Sequence, residues 1–274
     1  MLEMLKGRNL INLIGIPMWL LLIYKGGLYY CIFILACSAF ALGEFYSIME
    51  KKGAKPLRWM GMASTVFIAD YYYVQPLITT HQMLGGTILI ILLTVIWELF
   101  SVKNNSSLNV AATLAGILFV PILLGTAIDI RQFDLLMETQ LSLALVISVW
   151  VCDSAAFFVG TIFGKKKIFP EVSPKKSWAG SIAGVVASFL VFILFHYYGW
   201  LGDYFGLRDA IFFALISGVF GQIGDFAESM FKRDAGVKDS GTLLAGHGGV
   251  LDRFDSLIFT MPISYLYVHF LMHL

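Results

Sequence analysis

At 274 residues, 58% hydrophobic and only 14% charged, the chain is far more apolar than a water-soluble domain of ordinary composition. A mean hydropathy of +0.80 puts it in a bilayer. The formal net charge of +1 gives no reason to expect nucleic acid as a partner.

A membrane-spanning helix needs about 20 apolar residues, and nine runs approach that length, near 9–24, 27–49, 57–73, 84–100, 108–129, 139–163, 180–199, 209–231 and 254–272. The first follows Lys6 and Arg8 and stays apolar to Tyr24 with no small-residue cleavage site after it, so it reads as an uncleaved anchor. Cys31, Cys37 and Cys152 all fall inside apolar runs, where they pack as small apolar residues and offer neither a disulfide framework nor metal spacing. The expected architecture is an all-α integral membrane protein of about nine transmembrane helices. It forms one membrane domain over 1–274, with 1–133 mainly scaffold and 134–274 carrying the functional helices and loops. If the nine runs all cross, every Lys and Arg except Lys25, Arg131 and Arg208 falls on one face, which predicts a cytoplasmic N-terminus.

Connections are short as far as Phe133; two longer polar ones follow, at 164–179 and 232–253, both on the basic face. The first holds Lys165, Lys166 and Lys167, then the rigid turn Ser173-Pro-Lys-Lys-Ser177, with Pro170 and Pro174 preventing a long helix and Trp178 suited to the headgroup level. Clustered lysines attract anionic headgroups; the plainer reading of Lys165 to Lys167 is a stop-transfer cluster that fixes topology.

A charged side chain near the bilayer centre costs about 2.5–3.5 kcal/mol on insertion scales, so each intramembrane acid needs a reason. Asp153 lies within the sixth run. Asp225 and Glu228 stand at i and i+3 in the eighth, with Ser229 at i+4, and so share a helical face. Asp252 and Asp255 repeat the i, i+3 spacing where the ninth begins. Three carboxylate-bearing helices converging on a polar pocket would favour a hard cation with oxygen ligands, Mg²⁺ rather than Zn²⁺. The competing reading is internal salt bridging, Asp225 with Lys232 for example. Glu44, Asp70 and Glu98 have no second acid at helical spacing and are read as bonding neighbouring helices, while His81, His196, His269 and His273 read as interfacial anchors.

The densest chemistry runs from Ser229 to Asp255: Ser-x-x-Lys-Arg, Lys238-Asp-x-Gly, then His247-Gly-Gly-x-x-Asp-Arg-x-Asp255. Glycines let backbone N–H groups approach an anion, and the basic side chains neutralise phosphate. This segment, with Trp150-Val-Cys-Asp-Ser, Phe163-Gly-Lys, Ser173-Pro-Lys-Lys-Ser-Trp and Gly221-Gln-Ile-Gly-Asp-Phe-Ala-Glu-Ser, resembles the signature of the phosphatidate cytidylyltransferases, or CDP-diacylglycerol synthases. Two positions depart from that pattern: Ala179 where the family usually has Glu, and Ala245 where it usually has Pro.

The resemblance implies CTP and phosphatidic acid as substrates, CDP-diacylglycerol and pyrophosphate as products, Mg²⁺ with room for a second cation, and a bacterial inner membrane with the active site facing the cytoplasm. It implies Asp225 and Asp252 as cation ligands, Asp255 behind them or on a second cation, and Asp153 and Glu228 as further candidates. Lys175, Lys176, Lys232, Arg233, Lys238 and Arg253 would clamp phosphates; Ser173, Ser177, Ser229, His247, Gly248 and Gly249 would supply donors. Membrane lipids are expected partners, a homodimer is allowed for, and nucleic acid is not expected. Three rivals remain at this point: a CTP-dependent polyprenol or phytol kinase releasing CDP, a cation-coupled transporter and a lipid-binding scaffold.

Overall fold

The computed structural model describes the backbone of residues 2–74, 80–101, 104–241 and 248–272, and the side chains of these residues from Ile14 onward except Thr80. Among the described residues the fold is helical throughout, with one isolated antiparallel bridge between Lys167 and Ser177. The helices are α1 (Leu2–Lys25), α2 (Gly27–Lys51), α3 (Arg58–Val74), α4 (Thr80–Ser101), α5 (Ser106–Met137), α6 (Leu141–Phe163), α7 (Trp178–Tyr197), α8 (Leu207–Asp234) and α9 (Leu251–Leu271). Each apolar run of the sequence thus becomes a helix.

Among the described residues seven of the nine are long and apolar enough to cross a membrane, which makes this an integral membrane protein. The exceptions are α1, whose apolar stretch among the described side chains is Ile14–Lys25, and α3. The 17 residues of α3 extend about 26 Å at 1.5 Å per residue, short of a roughly 30 Å hydrocarbon core. Arg58 opens α3 and Asp70 to Tyr73 fill its last turn, so its polar ends shorten the apolar length further. On α4, Leu84, Ile88, Leu92, Ile96 and Leu99 are all exposed, a continuous apolar stripe that lipid would cover.

Local chemistry explains the breaks. Gly26 and Gly27 take φ of 61° and 55°, values a β-carbon resists, and let the chain reverse within one residue between α1 and α2. Inside α5, Pro121 has no N–H to give, and the helix widens into a π turn over Leu118–Ile122. A second π turn, Ile216–Phe220, lies in α8 just before the polar segment that begins at Gly221. Asp134 closes the turn into α6 by accepting the N–H groups of Leu141 and Ser142, each at 2.8 Å, so the orphan donors of that helix start are met.

The chain folds as two compact units. One comprises Met1–Asp129 with Asp234–Arg253, the other Ile130–Arg233 with Phe254–Leu274. In the first, buried Tyr46 of α2 donates its hydroxyl to the Thr113 carbonyl at 3.0 Å, and glycines at 61 and 116 lie against its ring. Buried Asn109 accepts from the Lys55 N–H at 2.6 Å and donates to Glu98 at 2.7 Å, which answers the sequence's expectation that Glu98 bonds a neighbouring helix.

In the second unit, close approach of helix backbones does the packing. A β-carbon at Gly180 of α7 would stand 2.5 Å from the Ala156 carbonyl oxygen of α6, one at Gly218 of α8 would stand 3.0 Å from Val185 Cα of α7, and one at Gly224 of α8 would collide with the Asp255 carbonyl of α9. Small residues are what membrane helices use to bring backbones together, because burying apolar surface gains little when the alternative is lipid. Gly180→Ala is therefore expected to destabilise by about 1–3 kcal/mol through overpacking, whereas Gly85→Ala, with nothing within 4 Å, should be neutral or slightly stabilising. Thermal unfolding of the two variants in detergent tests this; equal midpoints would contradict the packing account.

Candidate active site

The second unit gathers most of the acids and bases singled out by the sequence. The connection between α6 and α7 folds into a small hairpin: Trp178 N–H donates to the Lys166 carbonyl at 3.0 Å, Ile168 N–H to that of Lys176 at 3.3 Å, and Ser173 N–H to that of Phe169 at 2.8 Å. Ser177 then starts α7 as its N-cap, its hydroxyl oxygen accepting the Gly180 N–H at 3.3 Å. The residue before this cap, Lys176, is thereby held at a fixed backbone position. Its ammonium forms an ion pair with Asp225 on α8 and lies 4.3 Å from the centroid of the Phe226 ring, a cation–π contact. Phe169 meets the same ring edge-on at 5.1 Å, and Arg233 Nε donates to the Val172 carbonyl at 3.3 Å, so the basic connection lies along α8.

Along α8 the i, i+3 and i+4 spacing does what it predicts. Ser229 donates to Asp225 at 3.4 Å, and buried Lys232 pairs with Glu228, whose side chain is 1% exposed. The expected alternative pair, Asp225 with Lys232, does not form. Lys232 stands four residues from Glu228 but seven from Asp225, and Asp225 takes Lys176 from the other connection. The Gly224 contact brings α9 against this stretch of α8, and the Asp255 carboxylate lies in the electrostatic field of Asp225, Glu228 and Asp153. Four carboxylates in one field repel when ionised together in surroundings of low dielectric, which a nearby cation relieves.

The first unit holds the rest of the signature. Asp234 pairs with Lys52 at the end of α2. Asp252, in the first turn of α9, accepts the N–H of Ser240 at 3.0 Å and of Gly249 at 2.7 Å through Oδ2. Gly248 sits at φ 79°, and a β-carbon there would run into Asp252 Oδ2, so glycine is required. The Gly249 amide is thus given to Asp252. Lys175, Lys238 and Arg253 are exposed, Ser173 is half-buried and Asp153 is exposed on α6. His247 and Ala245 lie outside the described residues; Ala179 is half-buried in the first turn of α7.

Glu44, read from the sequence only as bonding a neighbouring helix, does so at the start of α9 and belongs with this segment. Two turns before the end of α2, it accepts Ser240 Oγ at 2.9 Å, Val250 N–H at 2.9 Å and Leu251 N–H at 2.8 Å. The signal for it was present: an acid in the middle of an apolar run demands a donor, even with no second acid at helical spacing.

Among the described residues no three Asp, Glu, His or Cys side chains are close enough together to hold a metal ion unaided. The donors around Asp225 and Asp255 are still of the kind Mg²⁺ takes, since that ion is commonly held by one or two carboxylates and completes its shell with substrate phosphates and water.

The model of the cytidylyltransferase family matches residues 6–271. The phosphatidate cytidylyltransferase of Bacillus subtilis (strain 168) is 32% identical over 271 residues, which cover 95% of this chain and 96% of that protein. That of Staphylococcus epidermidis (strain ATCC 12228) is 30% identical over 267 residues, 94% of this chain and 97% of that one. That of Haemophilus influenzae is 46% identical over a shorter stretch of 131 residues, 46% of this chain and 45% of that one. With a family match running nearly end to end and two relatives alike over 96% and 97% of their length, this chain belongs to the cytidylyltransferase family.

Proposed function

We propose that the protein transfers the cytidylyl group of CTP to phosphatidic acid, giving CDP-diacylglycerol and pyrophosphate, in the synthesis of membrane phospholipids. The observation that carries this reading is the end-to-end likeness to proteins named phosphatidate cytidylyltransferase, together with lysines and carboxylates assembled on α8. A phosphatidate oxygen is already anionic, so its attack on the α-phosphorus of CTP needs no strong general base. As its bond to phosphorus forms, the bond to the β,γ-pyrophosphate breaks, and the chief demand is neutralisation of two polyanions and a departing third.

Lys176 and Lys232 are poised for that work because each is already paired with a carboxylate and can exchange it for phosphate. In the second unit Lys175 and Arg233 add basic groups, and Ser173 and Ser229 supply hydroxyl donors; Lys238 and Arg253, in the first unit, are assigned to phosphate as well. Asp225 and Asp255 are the residues we assign to Mg²⁺, with Asp153 and Glu228 beside them and Asp252 holding the start of α9. The ion, when bound, would draw charge from the triphosphate and from the leaving pyrophosphate. The lysine-rich distribution supports a cytoplasmic site in a bacterial inner membrane.

Purified protein in detergent, given labelled CTP and phosphatidic acid with and without Mg²⁺, is expected to yield lipid-linked cytidine and pyrophosphate only with the ion present. Release of CDP in place of pyrophosphate would make it a lipid kinase and refute the reading. Asp225→Asn should lower kcat on the order of 10²–10³-fold, comparable to loss of a main electrostatic stabiliser, with membrane insertion and thermal midpoint preserved; wild-type turnover in that variant would remove Asp225 from the site. A cysteine placed at Lys166 should react with a membrane-impermeant maleimide in inside-out vesicles and not in intact spheroplasts. The opposite pattern would invert the proposed orientation.

A further inference from the structure

Glu44 lies in the half of the chain that carries none of the signature, yet it makes three hydrogen bonds to the signature segment. Its carboxylate and that of Asp252 divide the same set of donors. Ser240 gives its hydroxyl to Glu44 and its N–H to Asp252. Of three consecutive backbone N–H groups, Gly249 donates to Asp252 while Val250 and Leu251 donate to Glu44. These groups begin α9, where N–H donors have no partner inside the helix and where negative charge is favoured by the helix dipole.

Glycine makes the room: a β-carbon at Gly241 would stand 2.5 Å from Glu44 Oε1, and one at Gly249 would run into Oε2. The same helix also takes the other end of the segment, through Lys52 and Asp234. A carboxylate used only to satisfy a helix end would need neither the serine nor the two glycines that close around it.

We propose that Glu44 is a positioning residue for the transfer reaction: it fixes the conformation of residues 240–241 and 248–251, and through them the orientation of Asp252, without touching substrate. The inference rests on the cytidylyltransferase reading above. Residues 240–241 and 248–251 are then set from α2.

The test uses the full chain in detergent and compares Glu44→Gln, Glu44→Asp and Ser240→Ala with wild type. It reads hydrogen exchange of the backbone amides of Val250 and Leu251, and kcat and KM for CTP. Gln keeps the size but puts an NH₂ donor against other donors. Its amide exchange should therefore quicken and its kcat fall by roughly tenfold or more each, the weight of one charge-assisted hydrogen bond.

KM for CTP should change by less than about threefold, since the residue meets no substrate, and Glu44→Asp should recover part of kcat. Wild-type kcat in Glu44→Gln, or a loss that appears wholly in KM, overturns the proposal. Should Glu44→Gln fail to fold, Ser240→Ala decides in its place, because it removes one hydroxyl donor only: quicker exchange at Val250 and Leu251 with lower kcat supports the proposal, and unchanged values overturn it. If wild-type protein consumes no CTP, the functional reading fails by itself. The exchange comparison then still tells whether Glu44 holds the segment.

Discussion

An ionised carboxylate placed among apolar helices has to be met by a cation or by hydrogen-bond donors, and the organisation of this protein follows from how each acid is met. Two solutions coexist. On α8, Asp225 and Glu228 are met by the ammonium groups of Lys176 and Lys232. In the first unit, Glu44 and Asp252 are met by backbone N–H groups and the Ser240 hydroxyl, and Glu98 by the Asn109 amide. The two kinds of partner behave differently when a polyanion arrives. An ammonium group can trade a carboxylate for a phosphate at little loss, whereas an amide built into a helix start cannot leave. Exchangeable partners suit the chemistry, and fixed ones suit the geometry that supports it.

Glycine supplies the second constraint. The same residue type serves α6, α7, α8 and α9 by allowing backbone contact, and serves the signature segment by leaving room for two carboxylates. At Gly224 both uses meet, since the neighbouring residue is Asp225 and the backbone it touches is that of Asp255. A packing residue therefore sets the separation of two acids without carrying any charge itself.

How much of this could be read from the sequence depends on range. The apolar runs gave the nine helix positions because hydrophobic length is a local property, and the shared face of Asp225, Glu228 and Ser229 followed from helical spacing, whereas Lys232 was given to Asp225 and pairs instead with Glu228. The count of spans was less legible: α3 looks like the others until its polar ends are subtracted from its length. Pairings across the chain were not legible at all. Nothing local joins Lys176 to Asp225, or Glu44 to residues some two hundred positions later. Glu44 was read as bonding a neighbouring helix, which it does, but its place in the signature segment was missed because the reading sought pairs of acids, and a solitary acid served by backbone donors leaves no pairwise pattern to find. The wide turn at Pro121 was written in the sequence as a proline in an apolar run, but its π geometry was not.

The hairpin before α7 has a mechanical corollary. Lys176 is the immediate neighbour of the residue that caps the helix, so its reach is measured from a rigid end and not from a loose tether. Extra residues at the Pro170-Glu171 tip would lengthen the outer bend and leave that reach intact. A single residue added between Ser173 and Trp178 would rotate the lysine off its aspartate, and natural variation in the length of this connection should be confined to the tip.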